Sequence, residues 1–261
     1  MISRFVAHHP NFVMVDRSQQ KRNWGTLELA FPEARAYAVS YNRRFLENYP
    51  FDGIAINFRN EFGHADFGDQ YGFGQPIVDE YQRRYKVNIL REQFDLEQWR
   101  HLCGEYLTQF IRELSEAVHS KNKSLIVGIG QGNYIGLPNG NMYVDWQGWV
   151  KSQQVDGLVI GDITGQFLFP DRVGYGYLTE QESGIGVPNI LWALQSGYWP
   201  LCATYGVKLY VKVYAPGFKD IPVPAFMKSN VDGVVLSMTQ IVGDHIVTEE
   251  PGTILRHGTR R

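Results

Sequence analysis

One short pattern occurs three times in this chain: Phe51-Asp52-Gly53-Ile54-Ala55-Ile56-Asn57, Val155-Asp156-Gly157-Leu158-Val159-Ile160-Gly161 and Val231-Asp232-Gly233-Val234-Val235-Leu236-Ser237. In each, an Asp-Gly turn feeds a short apolar run that ends in a polar or Gly-rich stretch. Apolar runs of this length, bounded by turns and separated by helical stretches, are the pattern of buried parallel strands. Two more runs, Leu125-Ile126-Val127-Gly128-Ile129 and Leu209-Tyr210-Val211-Lys212-Val213, extend the set. Strands alternating with helices predict an α/β protein, either a TIM-type (β/α) barrel or a doubly wound sheet.

The 261 residues match the usual size of one barrel, about 250 residues, and one domain over 1–261 is expected. The strand inventory is short of a barrel, however: five clear strands and a sixth, weaker one at residues 12–15. Three long loops, at residues 59–75, 130–141 and 163–188, take up the remaining length. The expectation is therefore a barrel incomplete at its N-terminus. Its open edge would carry unpaired backbone groups, so self-association or a covering segment is expected as well.

Between the strands, Pro32 opens a helix to about residue 49, with Ala34, Tyr37, Ala38, Tyr41, Phe45 and Leu46 spaced along one face. Asp95 with Gln98 reads as a capping box at the head of the longest helix, whose stripe runs Leu96, Trp99, Leu102, Tyr106, Phe110, Leu114 and Ala117. Further helices are predicted at residues 76–85, from Asp145, at 189–205 and after Pro224.

Composition narrows the function. A net charge of −2 with no long Lys/Arg run leaves no electrostatic footprint for nucleic acid or an anionic membrane, and no apolar stretch is long enough to span a bilayer. The first residues lack a signal-peptide pattern, which fits a cytoplasmic protein if Met1 is the natural start. Cys103 and Cys202 sit in apolar surroundings and read as buried free thiols.

Several stretches resemble the family 10-like glycosyl hydrolases, a group of glycosidases with TIM barrels. They are Gly25-Thr26-Leu27-Glu28-Leu29-Ala30-Phe31-Pro32-Glu33-Ala34-Arg35, the strand from Phe51 to Arg59, Ala65-Asp66-Phe67-Gly68-Asp69-Gln70-Tyr71-Gly72-Phe73, residues 78–85, 104–110 and 140–146. The likeness runs from about residue 4 to about residue 165. It implies hydrolysis of O-glycosidic bonds of an oligo- or polysaccharide, with no cofactor. One departure is that related barrel glycosidases often place an acid where this chain has Asn57.

Glycoside cleavage needs two carboxyl groups across one sugar, beyond the C-terminal ends of barrel strands. The candidates are Glu61, Asp66 and Asp69 in the loop after the first Asp-Gly strand, and Asp162 at the end of the second. Asn57 and Arg59 are candidates to position substrate, and Tyr71, Phe73, Tyr134, Tyr143 and Trp146 to stack on sugar rings. Each has a plainer alternative: a solvated or capping Asp, a structural ion pair, a core aromatic. Asn57 itself favours a carbohydrate-binding or inactive barrel as the first alternative. Lys212, mid-strand among apolar residues, opens a second: Schiff-base chemistry of the lyase or aldolase kind, against a plain buried Lys-Asp pair. Gly128-Ile129-Gly130-Gln131-Gly132 lacks the third glycine and the helix of a dinucleotide site. His64 with Asp66 and Asp69 lacks a second histidine for a metal, His8-His9 reads as an exposed pair, and Asn122-Lys123-Ser124 fits a glycosylation sequon.

Overall fold

The computed structural model describes residues 4–57, 69–130, 132–162, 190–214, 228–237, 239–242, 245–250 and 253–254. The five expected strands all form: β3 (Gly53–Asn57), β4 (Ser124–Gly130), β5 (Gly157–Asp162), β6 (Lys208–Tyr214) and β7 (Gly233–Ser237). They are joined in the order β3-β4-β5-β6-β7, every pair parallel. Sequential parallel strands, with described helices in the connections from β3 to β6, make the arrangement of an incomplete TIM-type barrel, for which closure takes about eight strands.

Side chains alternate across this sheet, as strand geometry requires. Ile54, Leu125, Val127, Leu158, Ile160, Leu209 and Val211 are buried in the main core against the helices. The opposite face carries Asn57, Gly128, Val159, Tyr210 and Gly233 in one hydrogen-bonded row, and Lys212 and Val235 in the row above. Small residues dominate there, and Tyr210 fills the space: a β-carbon placed on Gly157 or Gly233 would meet its ring at 3.1 or 3.2 Å.

Preceding the sheet, α1 (Arg4–His8) and a 3-10 turn lead to a hairpin of β1 (Val13–Val15) and β2 (Arg22–Leu27). The polar sequence of β2 hides it from a hydrophobicity reading. Val15 O accepts the Gly72 and Phe73 N–H groups, each at 3.1 Å, so the hairpin is fastened to the segment that leads into α3 (Gln75–Tyr85). After β7, the chain forms β8 (Thr239–Val242), β9 (His245–Glu250) and β10 (Thr253–Ile254), an antiparallel set absent from the sequence expectation.

The helices are α2 (Pro32–Asn48), α3 (Gln75–Tyr85), α4 (Leu96–His119), α5 (Trp146–Lys151), α6 (Ile190–Trp192), a π-helical turn (Ala193–Tyr198) and α7 (Trp199–Tyr205). Asp95 caps α4 as expected, its Oδ1 accepting the Glu97 and Gln98 N–H groups at 2.8 and 3.1 Å. The anticipated α4 stripe faces the core, with Leu107, Ile111 and Val118 added to it.

In α2 the expected apolar face is corrected. Ala34 and Leu46 are buried, but Tyr41 and Phe45 are 57% and 39% exposed. The buried side of α2 is set by α4, where Arg35 reaches Glu113 at 3.1 Å, and this turns the Tyr41-Phe45 side outward beside the sheet edge β3. Cys103 and Cys202 are free and buried. Among the described residues, no helix is long and apolar enough to cross a membrane and no cluster of His, Cys, Asp or Glu suits a metal ion. The Pro224 helix lies outside the described residues.

Candidate active site

Parallel order places the C-terminal strand ends Asn57, Gly130, Asp162, Tyr214 and Ser237 at one edge of the sheet, the edge at which barrel enzymes bind substrate. Asn57 is exposed there. The β4-β5 ladder breaks its register at its last step: Ile129 pairs with Ile160, but Gly130 pairs with Asp162. Gly161 is the extra residue, with φ at +131°, a backbone state that favours glycine, and a β-carbon on it would meet Lys212 O at 2.5 Å. The bulge therefore advances the Asp162 backbone by one position, level with the last residue of β4. Bulges of this kind sit near active sites because they change which way the next residue is carried. Lys212, beside Gly161 in the neighbouring strand, has a half-buried side chain and is not the fully buried amine the Schiff-base alternative asks for.

Asp69 occupies a different setting from the one its sequence position suggests. It is fully buried, and its carboxylate is gripped at both oxygens by Arg100, Nε to Oδ1 at 3.2 Å and a terminal nitrogen to Oδ2 at 2.6 Å. Burial raises its pKa to about 6, partly countered by Arg100. Burial works the other way on Arg100, yet Asp69 and Glu97 hold it above its ordinary value, so the pair is ionised at neutral pH. Arg100 also reaches Glu97 at 2.6 Å, and the Tyr143 hydroxyl donates to Glu97. Thus Asp69, Arg100, Glu97 and Tyr143 form one chain of contacts that ties the segments after β3 and after β4 to the first turns of α4. Tyr143 stacks on His101 with centroids 4.4 Å apart, and its own pKa is pushed up to about 12 by burial and Glu97.

The aromatic candidates divide. Tyr71, Phe73 and Trp146 are buried, at 5%, 0% and 3% exposure, so their rings pack in the protein and the stacking expectation is corrected for them. Phe73 lies against Trp99 at 4.8 Å and Trp146 against Tyr198 at 4.8 Å, while the Tyr71 carbonyl accepts from Asn141 at 2.6 Å. Tyr134 is half-buried in the loop after β4. That loop is shaped by Asn133, whose Oδ1 accepts the Gly130 N–H at 2.6 Å and whose Nδ2 donates to Leu137 O at 2.8 Å. Arg59, Glu61, His64 and Asp66 lie outside the described residues, as does the side chain of Asp162. His8, His9 and Asn122 are exposed.

Two participants were not legible in the sequence. Arg100 sits on the helix α4 and looks like a surface charge by periodicity. Glu28, just past β2, is buried with its pKa raised to about 7 by desolvation, although the Ala30 and Gly74 N–H groups pull it down; its Oε2 has no hydrogen-bond partner among the described residues.

No family model and no curated protein matches this chain. Solved structures do match in fold. The β-galactosidase of the psychrophilic Marinomonas ef1 superposes with a TM-score of 0.54 at 13% identity over 90% of this chain and 42% of its own. That of Bacillus circulans sp. alkalophilus gives 0.54 at 11% identity, over 89% and 38%. The PgaB (BpsB) glycoside hydrolase domain of Bordetella bronchiseptica gives 0.49 at 10%, over 88% and 65%. The chain thus shares a barrel-type fold with these two β-galactosidases and spans about two fifths of their length.

Proposed function

We propose that this chain is a glycoside hydrolase of the family 10-like kind, cleaving O-glycosidic bonds of an oligo- or polysaccharide. The observation that supports this reading is the Gly161 bulge, which brings the Asp162 backbone level with Gly130 at the C-terminal edge of the sheet. Asp162 is one carboxyl group of the proposed pair, and the second comes from Glu61 or Asp66 in the segment after β3. Asn57, Arg59, Tyr134 and Tyr143 are the proposed substrate contacts. Asp69 has a positioning role in this scheme: a carboxylate held at both oxygens by a buried guanidinium is poorly placed to exchange protons with a sugar, and it ties its own segment to α4.

A carbohydrate-binding barrel without hydrolysis is the second reading, favoured by the amide at Asn57 and by the commitment of Asp69 to Arg100. Reducing-end release from a panel of oligo- and polysaccharides separates the two. Wild-type product that Asp162→Asn and either Glu61→Gln or Asp66→Asn abolish, with folding intact by circular dichroism, supports the hydrolase. Sugar binding without product from any folded sample supports the binding barrel.

A further inference from the structure

We infer that Trp192, standing on Tyr134, is an aromatic platform on which one pyranose ring of a carbohydrate chain stacks; this rests on the carbohydrate reading above. Of the six tryptophans, Trp192 is the most exposed, at 55%. Its position is fixed by the sheet. The Tyr198 hydroxyl donates to Gly130 O at 2.7 Å and accepts the Tyr134 N–H at 3.0 Å, joining the helical run 190–205 to the end of β4. Trp192 is the third residue of that run, at the same end of the sheet as Asn57 and Asp162.

The platform is held before any ligand arrives. The Tyr134 ring lies on the backbone at Gly197, where a β-carbon would come within 2.5 Å of it, and meets Tyr198 edge-on at 5.4 Å. Trp192 leans on Tyr134 at 5.8 Å and 54°, leaving more than half its surface to solvent. Between Trp192 and Tyr198 the helix widens into a π turn, a local irregularity that often marks functional positions. The Tyr134 hydroxyl is buried, with no hydrogen-bond partner among the described residues. A rigid, exposed aromatic face suits a sugar, whose C–H face packs on the indole.

The test compares wild type, Trp192→Ala, Trp192→Phe and Trp199→Ala by calorimetric titration and by kinetics, with β-1,4-linked oligomers of glucose, galactose and N-acetylglucosamine as probes. Trp199, 38% exposed beside Lys208 at the other end of the sheet, is the control. The expected result is that Trp192→Ala weakens affinity, or raises KM with kcat little changed, by about tenfold, while Trp192→Phe restores most of it and Trp199→Ala matches wild type. Binding or hydrolysis by the wild type that Trp192→Ala leaves unchanged would overturn the platform and spare the hydrolase reading. A folded wild type that neither binds nor cleaves any of the probes would overturn both.

Discussion

Asp156 holds Leu125 by both of its backbone groups: its carboxylate accepts the Leu125 N–H at 2.7 Å while its own N–H donates to the Leu125 carbonyl at 2.8 Å. Asp232 repeats this grip on Leu209, at 2.8 and 2.7 Å. Each aspartate also has a side-chain partner, His119 Nε2 beside Asp156 at 2.8 Å and the Lys208 ammonium on Asp232 at 3.0 Å. In these two copies the Asp-Gly sequence is thus a fastening at the N-terminal end of the sheet, the end that serves stability in barrels. Asp156→Ala or Asp232→Ala should each lower unfolding free energy by about 1–2 kcal/mol in urea titrations, with the far-ultraviolet spectrum unchanged.

Arg100→Met should be among the most damaging single changes, by about 3–5 kcal/mol, because it leaves Asp69 buried without its cation. Asp69→Asn should cost less, since Arg100 keeps Glu97. If Asp69 positions loops, hydrolytic activity in Asp69→Asn should fall only as far as folded protein does. Loss of turnover in fully folded Asp69→Asn would instead make it a catalytic acid.

Glu28 predicts a pH dependence. Its folded pKa of about 7 exceeds the ordinary 4.5, so the folded state binds the proton more tightly than the unfolded chain. Stability from this group is fully present below about pH 4.5 and is lost as pH rises through 7, by at most about 3 kcal/mol. Asp69, raised to about 6 by burial, acts in the same direction. Chemical denaturation of wild type should therefore show less stability near pH 8 than near pH 5, and Glu28→Gln should flatten that slope.

Gly104→Ala should destabilise by about 1–3 kcal/mol, since its β-carbon would lie 2.1 Å from the Tyr143 carbonyl, a backbone atom with no rotamer to escape into. Thermal melting measures it directly.

The exposed aromatic side of α2 predicts association. Tyr41, Phe45, Tyr49 and Phe51 form a cluster beside the edge strand β3, with Phe45 and Phe51 stacked at 5.3 Å. Light scattering should show wild type self-associating, and Tyr41→Lys with Phe45→Lys should reduce its apparent mass.

Much of this protein was written locally and could be read so. The five sheet strands, the Asp95 cap and the two buried thiols depend on nearest neighbours: turn chemistry, residue period, a side chain reaching its own helix. What decides a site is distant. The sequence showed Asp69 as one more loop carboxylate, and only folding brought Arg100, 31 positions away, onto both its oxygens. Tyr41 and Phe45 sit at core spacing, yet the Arg35 contact with Glu113 on α4 turned them to solvent. Trp146 and Trp192 look alike as loop and helix-end aromatics, and one is core while the other is open, because burial is set by what packs from elsewhere in the chain. The register shift at Gly161 belongs to the pairing of two strands, so neither strand's sequence contains it alone.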